Sequence, residues 1–319
     1  MRARMARAIR RAAFPRLPPV NAHHAAAPHM VDLHTHSTFS DGTFAPEALV
    51  AEAARLRLAG VALTDHDTVD GNPSFLHAAG THGVRAIAGV EISAEFTHPE
   101  QRTGRDSELH ILGYFPRWSA GTAAMTAPLA DIRRNREERN PQIIRKLQEL
   151  GHDITYDEVR AVAGNDVVGR PHIAAVMVRK GIVREAQEAF TRFLGTNAPA
   201  YVPKRIFTPE KAIGVIRDAG GVPVLAHPKL LSISSEQALR ALVRSLVAHG
   251  LRGIEAYYPV HDPRSTELFR RIAADHALIV TGGTDFHGAN KPDIRLGSGF
   301  GGMRTPDECF DNLVRAVSN

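Results

Sequence analysis

The sequence predicts an α/β protein, a mostly parallel sheet or barrel interrupted by a helical insertion. Three observations carry this. Short apolar segments of strand length alternate with amphipathic segments of helix length over most of the chain, the pattern of strands joined by helical crossovers. The alternation stops between about Ser119 and Pro203, where only helical patterns remain. At 319 residues the chain is long enough for one large domain carrying an insertion, or for two medium ones.

Taken in order, residues 1–30 form an Arg-rich leader that holds Arg2, Arg4, Arg7, Arg10, Arg11 and Arg16 and no Asp, Glu or Lys. Against a formal net charge of +5, these six arginines leave the remainder near −1, so the basic balance does not mark the folded body as a nucleic-acid or membrane binder. The leader imitates an organellar transit peptide in composition but lacks the apolar run of a secretory signal, and it reads as disordered, with Met30 just ahead of the first strand. Apolar runs then predict strands at Val31 to His36, Val61 to Asp65, Arg85 to Ile92, Leu109 to Phe115, Val222 to Ala226, Gly253 to Tyr257 and Leu278 to Thr281. Helices are expected at Pro46 to Leu58, where Pro opens the first turn, and at Pro209 to Ala219, where Gly220 and Gly221 stop it. Inside the insertion, helical patterns cover Ala130 to Leu150, Arg170 to Lys180 and Glu185 to Leu194. The expected division is therefore a barrel from 31–118 and 204–319 with a helical insertion at 119–203.

A hydrophobic fraction of 43% and a charged fraction of 23% are those of an ordinary globular protein, and no run approaches the roughly 18 apolar residues of a membrane span. The single cysteine, Cys309, excludes a disulfide framework and fits a reducing cytoplasm. No internal repeat is visible, and nothing in the sequence fixes an oligomeric state.

The chemistry lies in where certain histidines and carboxylates fall. Of 17 histidines, His23, His24, His29, His77, His82, His98, His152, His249 and His276 sit in the leader, on helices or in loops and read as structural or surface. His34 and His36 are two apart on a strand, so both imidazoles project from one face and can reach one ion. Asp41 follows in Ser40-Asp41-Gly42, which an Asx turn explains equally well. Thr64-Asp65-His66-Asp67 closes the second strand with three titratable groups whose repulsion a cation or hydrogen bonds must offset. Glu91 ends the apolar run Ala86 to Val90, and His110 begins the next strand. Late in the chain, His227 ends a strand and Asp285 and His287 follow Gly282-Gly283. Strand ends converge at the mouth of a barrel, so groups scattered along the chain can meet there. Nine such groups exceed the needs of one ion, and imidazole with carboxylate but no thiolate suits Mn, Fe(II) or Zn rather than Ca or an iron–sulfur centre.

Asp32-Leu33-His34-Thr35-His36-Ser37, Ser40-Asp41-Gly42, Thr64-Asp65-His66-Asp67, Gly89-Val90-Glu91, His227-Pro228 and Thr284-Asp285-Phe286-His287 together resemble the PHP (polymerase and histidinol phosphatase) family, in the family's order from about Val31 to Leu296. Within it the chain resembles the stand-alone nucleoside 3′,5′-bisphosphate phosphatases also described as ribonuclease AM. The resemblance implies a distorted (β/α)7 barrel with an inserted helical subdomain and a divalent-metal site of three ions, with Mn first and Fe(II), Zn or Mg as alternatives. It also implies how the ligands divide: His34, His36, Glu91 and Asp285 on one ion, Glu91 bridging to a second with His110 and His227, and Asp41, His66 and His287 on the third. Asp65, ahead of Asp67, would orient ligating imidazoles. In Gly169-Arg170-Pro171-His172, Arg170 and His172 resemble the family's substrate-facing segment, although the start of a helix explains them nearly as well. Arg133, Arg136 and Arg139 form either a second anion-binding stripe or a solvated helix face.

These expectations add up to a phosphoesterase that hydrolyses the 3′-phosphate of nucleoside 3′,5′-bisphosphates, with Glu91, His227 and Asp285 at the reacting centre, a small phosphorylated nucleotide as its partner and short RNA as an extension. Multinuclear sites accelerate such hydrolysis by acidifying water and neutralising charge on the attacked and leaving oxygens. The rivals are a histidinol-phosphate phosphatase, disfavoured by the large insertion carrying Arg170, and a non-catalytic, metal-stabilised module docking on RNA through the basic leader.

Overall fold

The computed structural model describes residues 30–96, 108–118, 125–163, 168–203 and 206–317. The expected disorder of the leader, up to residue 29, lies outside these residues. Seven strands form in the seven places the sequence marks: β1 Val31–Asp32, β2 Gly60–Leu63, β3 Ala86–Glu95, β4 Glu108–Phe115, β5 Val222–Leu225, β6 Gly253–Tyr257 and β7 Ile279–Gly282. They make a single sheet in chain order. Leu33 N donates to Gly282 O at 3.1 Å and Thr35 bridges to Phe286, so the first and last strands meet and the sheet is a nearly closed barrel.

The sheet is parallel from β1 to β3 and from β5 to β7, while β4 runs antiparallel to both its neighbours. The segment between β3 and β4, Phe96 to Ser107, is polar in sequence and has no apolar stripe with which a crossover helix could pack, which accords with the antiparallel pairing of the two strands. Its consequence reaches the site. The parallel strands end at the mouth of the barrel, whereas β4 begins there, which brings His110 near its start to the same mouth as His34, Glu91 and His227.

The barrel is wrapped by α1 Pro46–Arg55, α2 Asn72–His82, α7 Pro209–Asp218, α8 Glu236–Ala248, α9 Pro263–Asp275 and α10 Glu308–Ala316. Their starts carry the expected signals: the side chains of Thr208, Ser235 and Asp262 accept from backbone amides three residues on, and Pro fills the first turn of α1, α7 and α9. Helix α1 stops short of the predicted Leu58 because Arg57 turns into the left-handed region at φ 56°.

The insertion holds α3 Thr126–Glu149, α4 Tyr156–Ala163, α5 Arg170–Arg179 and α6 Ala186–Ala189, the last running into a π-turn over Phe190–Leu194. It has an apolar core of its own, with Ile143, Leu147, Ile154, Val159, Ile173, Met177 and Phe193 among its buried members. The first half of α3 belongs elsewhere: Met125, Leu129 and Ile132 pack into the barrel core with Ile92, Ile111 and Leu225. Along α3 the buried residues change core between Ile132 and Ile143. Among the described residues no helix is long and apolar enough to cross a membrane.

Candidate metal centre

Nine side chains singled out from the sequence meet at the barrel mouth. His34, His36, Glu91 and Asp285 each bring a donor atom to within 4.8 Å of one another, and so do His36, Asp41, His66 and His287, and again His66, Glu91 and His110. Glu91, 1% exposed, stands at the centre. Its Oε2 faces His34 Nε2, His36 Nε2 and His66 Nδ1, each at 3.2 Å. Its Oε1 faces His110 Nδ1 at 2.8 Å and His227 Nε2 at 3.0 Å. Asp41 lies 3.2 Å from His287 Nε2 and 3.7 Å from His66 Nε2. These groups differ from the grouping expected from the resemblance: His36 also reaches toward Asp41, at 3.6 Å, and His66, where His227 was expected, stands with Glu91 and His110. His227 points its Nε2 at Glu91 in a ligand's posture and does not line the cleft described below.

The local backbone is bent to achieve this. Asp67, His227 and Asp285, each just past a strand end, have φ of 51°, 26° and 55°. Left-handed conformations outside glycine persist where the surroundings over-determine them. Asp285 is held by N–H donation to His34 O at 2.8 Å, and Asp67 by N–H donation to Glu91 O at 2.9 Å.

Burial works against the charge of Glu91, but the imidazoles of His66, His110 and His34 hold its carboxyl well below the usual carboxylate range. Burial alone would depress His36, yet the adjacent carboxylates of Asp285, Glu91 and Asp41 raise it to about 9. His66, by contrast, is pushed down to about 3, chiefly by burial. Three anionic carboxylates packed together require compensating positive charge, which protonated imidazoles supply in the absence of metal and a divalent cation would supply in their place. The buried Nε2 of His36 and Nδ1 of His66 make no hydrogen bond, although both face carboxylate oxygens. Ring nitrogens held without a hydrogen bond beside carboxylates fit ligation, and the oxygen and imidazole donors fit Mn, Fe(II) or Zn.

Several contributors escaped the sequence reading. Tyr258 OH and Lys291 Nζ hold Asp285 Oδ2 at 2.7 and 2.6 Å, leaving Oδ1 for the histidines. Glu255 on β6 lies against both His34 and His227. A glutamate between Ile254 and Ala256 in an apolar strand was a legible signal, whereas nothing marked Lys291. Asp65, expected to orient an imidazole, accepts from Ser37 N, Ser37 Oγ and Ser40 Oγ, each at 2.7 Å, and fastens the 37–40 turn, while Ser40 Oγ in turn lies 3.4 Å from His36 Nδ1. Asp67 accepts from the N–H and hydroxyl of Ser93. None of His77, His82, His152, His249 or His276 joins the metal groups, and His23, His24, His29 and His98 lie outside the described residues.

The centre opens into a cleft of about 310 Å³ whose near wall carries Asp41, His66 and His110 and whose far wall is the insertion, with Arg139, Asn140, Arg170, His172 and Phe190. Arg170, 7% exposed, opens α5 and donates from Nη1 to Leu194 O at 3.2 Å. His172 Nδ1 accepts from Gly169 N at 3.1 Å, so its Nε2 bears the ring proton. The helix-start reading of this segment and the cleft-facing reading therefore hold together. Arg139 lines the same wall and donates to Val202 O; the side chains of Arg133 and Arg136 lie outside the described residues.

The sequence profile of the PHP domain matches residues 32–283. A 3′,5′-nucleoside bisphosphate phosphatase from Chromobacterium violaceum is 31% identical over 81% of this chain and 87% of its own length. A 5′-3′ exoribonuclease from Salmonella typhimurium is likewise 31% identical, over 80% of this chain and 84% of its own. Among solved structures, a Bifidobacterium adolescentis protein assigned as a metal-dependent phosphoesterase superposes with a TM-score of 0.71 at 30% identity, covering 91% of this chain and 97% of that one.

Proposed function

The chain belongs to the PHP-domain family and is a metal-dependent phosphoesterase, and from that premise we propose that it removes the 3′-phosphate from nucleoside 3′,5′-bisphosphates and also degrades short 5′-phosphorylated RNA. One observation carries the substrate. The cleft joins the candidate metal centre to a wall lined by Arg139, Arg170 and His172, so a molecule with one phosphate at the centre would place a second against a basic wall. Bidentate guanidinium contact to phosphate is what such a wall offers. A histidinol phosphate has no second phosphate to use it, and a module that only docks on RNA has no use for the carboxylate and imidazole centre.

We propose three ions, on His34, His36, Glu91 and Asp285, on Glu91, His110 and His227, and on Asp41, His66 and His287, with Mn first and Fe(II), Zn or Mg as the alternatives that elemental analysis distinguishes. Bound ions acidify water and neutralise charge on phosphoryl oxygens. The chain's own part is positional. Glu91 divides its oxygens between two sets of imidazoles, Tyr258 and Lys291 fix the free face of Asp285, and Arg170 with His172 holds the second phosphate and so aligns the first. The lone cysteine, buried at the barrel's base, accords with a cytoplasmic enzyme.

The test is a panel assay with added Mn²⁺ on adenosine 3′,5′-bisphosphate, 5′-phosphorylated short RNA, histidinol phosphate and p-nitrophenyl phosphate. The bisphosphate should have the highest kcat/KM. A preference for histidinol phosphate would replace this reading with the histidinol type.

A further inference from the structure

Glu255 sits at the middle of β6, fully buried, with Ile254 and Ala256 on either side packed outward into the barrel core. By strand alternation its own side chain points inward, beneath the metal centre. There its two oxygens do different things. Oε1 lies 3.0 Å from His34 Nδ1, and Oε2 accepts the backbone N–H of His227 at 2.7 Å. His34 follows β1 and His227 follows β5, so one carboxylate ties together two segments whose imidazoles face the two oxygens of Glu91.

We infer that Glu255 is a positioning residue that sets both His34 and His227 as metal donors, an inference that rests on reading those two histidines as ligands. A carboxylate can only accept, so Glu255 keeps a hydrogen on His34 Nδ1 and leaves Nε2 as the nitrogen that would give its lone pair to a cation. That Nε2 lies 3.2 Å from Glu91 Oε2 and 3.6 Å from Asp285 Oδ1, the oxygens with which it would share the ion. The second oxygen acts on the backbone. His227 holds φ 26° and ψ 60°, a conformation a non-glycine residue keeps only when fixed from outside, and the amide bond to Oε2 is such a fixture. With His227 so turned, its Nε2 meets Glu91 Oε1.

Glu255→Gln separates this role from bulk. The amide has the carboxylate's shape but one acceptor, so it either turns its NH₂ on His34 Nδ1, forcing the wrong tautomer, or turns it on the His227 N–H, releasing that turn. Metal affinity is measured by equilibrium dialysis against Zn²⁺ and Mn²⁺ with elemental analysis, on the full chain, with Ile254→Ala as a control that weakens the same strand from its outer face. The expected result is a loss of affinity of about 10- to 100-fold in Glu255→Gln, as for other groups that orient ligating histidines, with Ile254→Ala staying within about twofold of wild type despite a lower Tm. Equal affinity in Glu255→Gln and wild type, or an equal loss in Ile254→Ala, overturns the inference. If Glu255→Gln does not fold, the wild-type zinc-loaded protein decides alone: nitrogen NMR of His34, assigned by its loss in His34→Gln, must show a proton on Nδ1, and a proton on Nε2 overturns the inference. A wild-type protein that holds no metal brings down the metal reading and this inference together, whereas metal held undiminished by Glu255→Gln brings down the inference alone.

Discussion

Single residues here divide into those that need charge and those that need shape. Glu91 touches five imidazoles, so its neutral isostere cannot balance the cations placed around it. Glu91→Gln and Asp285→Asn should each abolish turnover and lower the metal content found by elemental analysis while circular dichroism stays native; near-normal rates in both would defeat the multinuclear site. Arg170 acts at a distance from the reacting atoms. Losing a charge-assisted contact costs about 1.5 to 3 kcal/mol, so Arg170→Ala should lower kcat/KM for the bisphosphate roughly ten- to hundredfold. Hydrolysis of p-nitrophenyl phosphate, which never reaches the insertion, should change little, and an equal fall on both substrates would remove Arg170 from the second-phosphate role. At this scale most of the candidate ligands were legible because they interrupt apolar runs at strand ends, Asp41 in its turn being the exception, whereas Lys291 and Tyr258 were not, since a lysine in a loop or a tyrosine after a strand has no periodicity to violate.

At the scale of elements, the site depends on how β1 and β7 close the barrel. A Cβ on Gly283 would collide with the Cβ and backbone nitrogen of His34. Overpacking in a core typically costs about 1 to 3 kcal/mol, and here the neighbour is backbone that cannot swing aside. Gly283→Ala should lower Tm in calorimetry and reduce metal retention in the same protein. A variant with lowered Tm and full metal content would show that strand closure does not set His34. The antiparallel β4 was beyond the sequence reading. Its apolar run, Leu109 to Phe115, reads the same in either direction, and only its pairing, Ala88 opposite Phe115 and Glu95 opposite Glu108, decides which end lies at the mouth. The strand boundaries drifted for a related reason: His34 and His36 continue the extended chain of β1, but after Asp32 the backbone turns to serve the site and the ladder ends.

For the whole molecule, the described fold begins at Met30, whose carbonyl accepts from Ala59 N at 2.8 Å and which bridges to Pro306. A chain beginning at Met30 should therefore keep its Tm and its bisphosphatase activity, while one beginning at Leu33, stripped of β1, should not fold; loss of most activity in the Met30 chain would assign the leader to the enzyme. Barrel and insertion meet along α3, which buries Met125, Leu129 and Ile132 in one core and Ile143 and Leu147 in the other. The sequence by itself determined the seven strands, the helices of the insertion and the nine candidate ligands, because apolar periodicity and its interruption by charged groups are properties of local order along the chain. Only the tertiary structure decided that Glu91 stands at the centre, that Glu255 lies against two histidines, and that Arg170 lines one cleft with Asp41, His66 and His110. Those relations join residues far apart in the chain, and their distances are set by sheet register and packing, which no local pattern encodes.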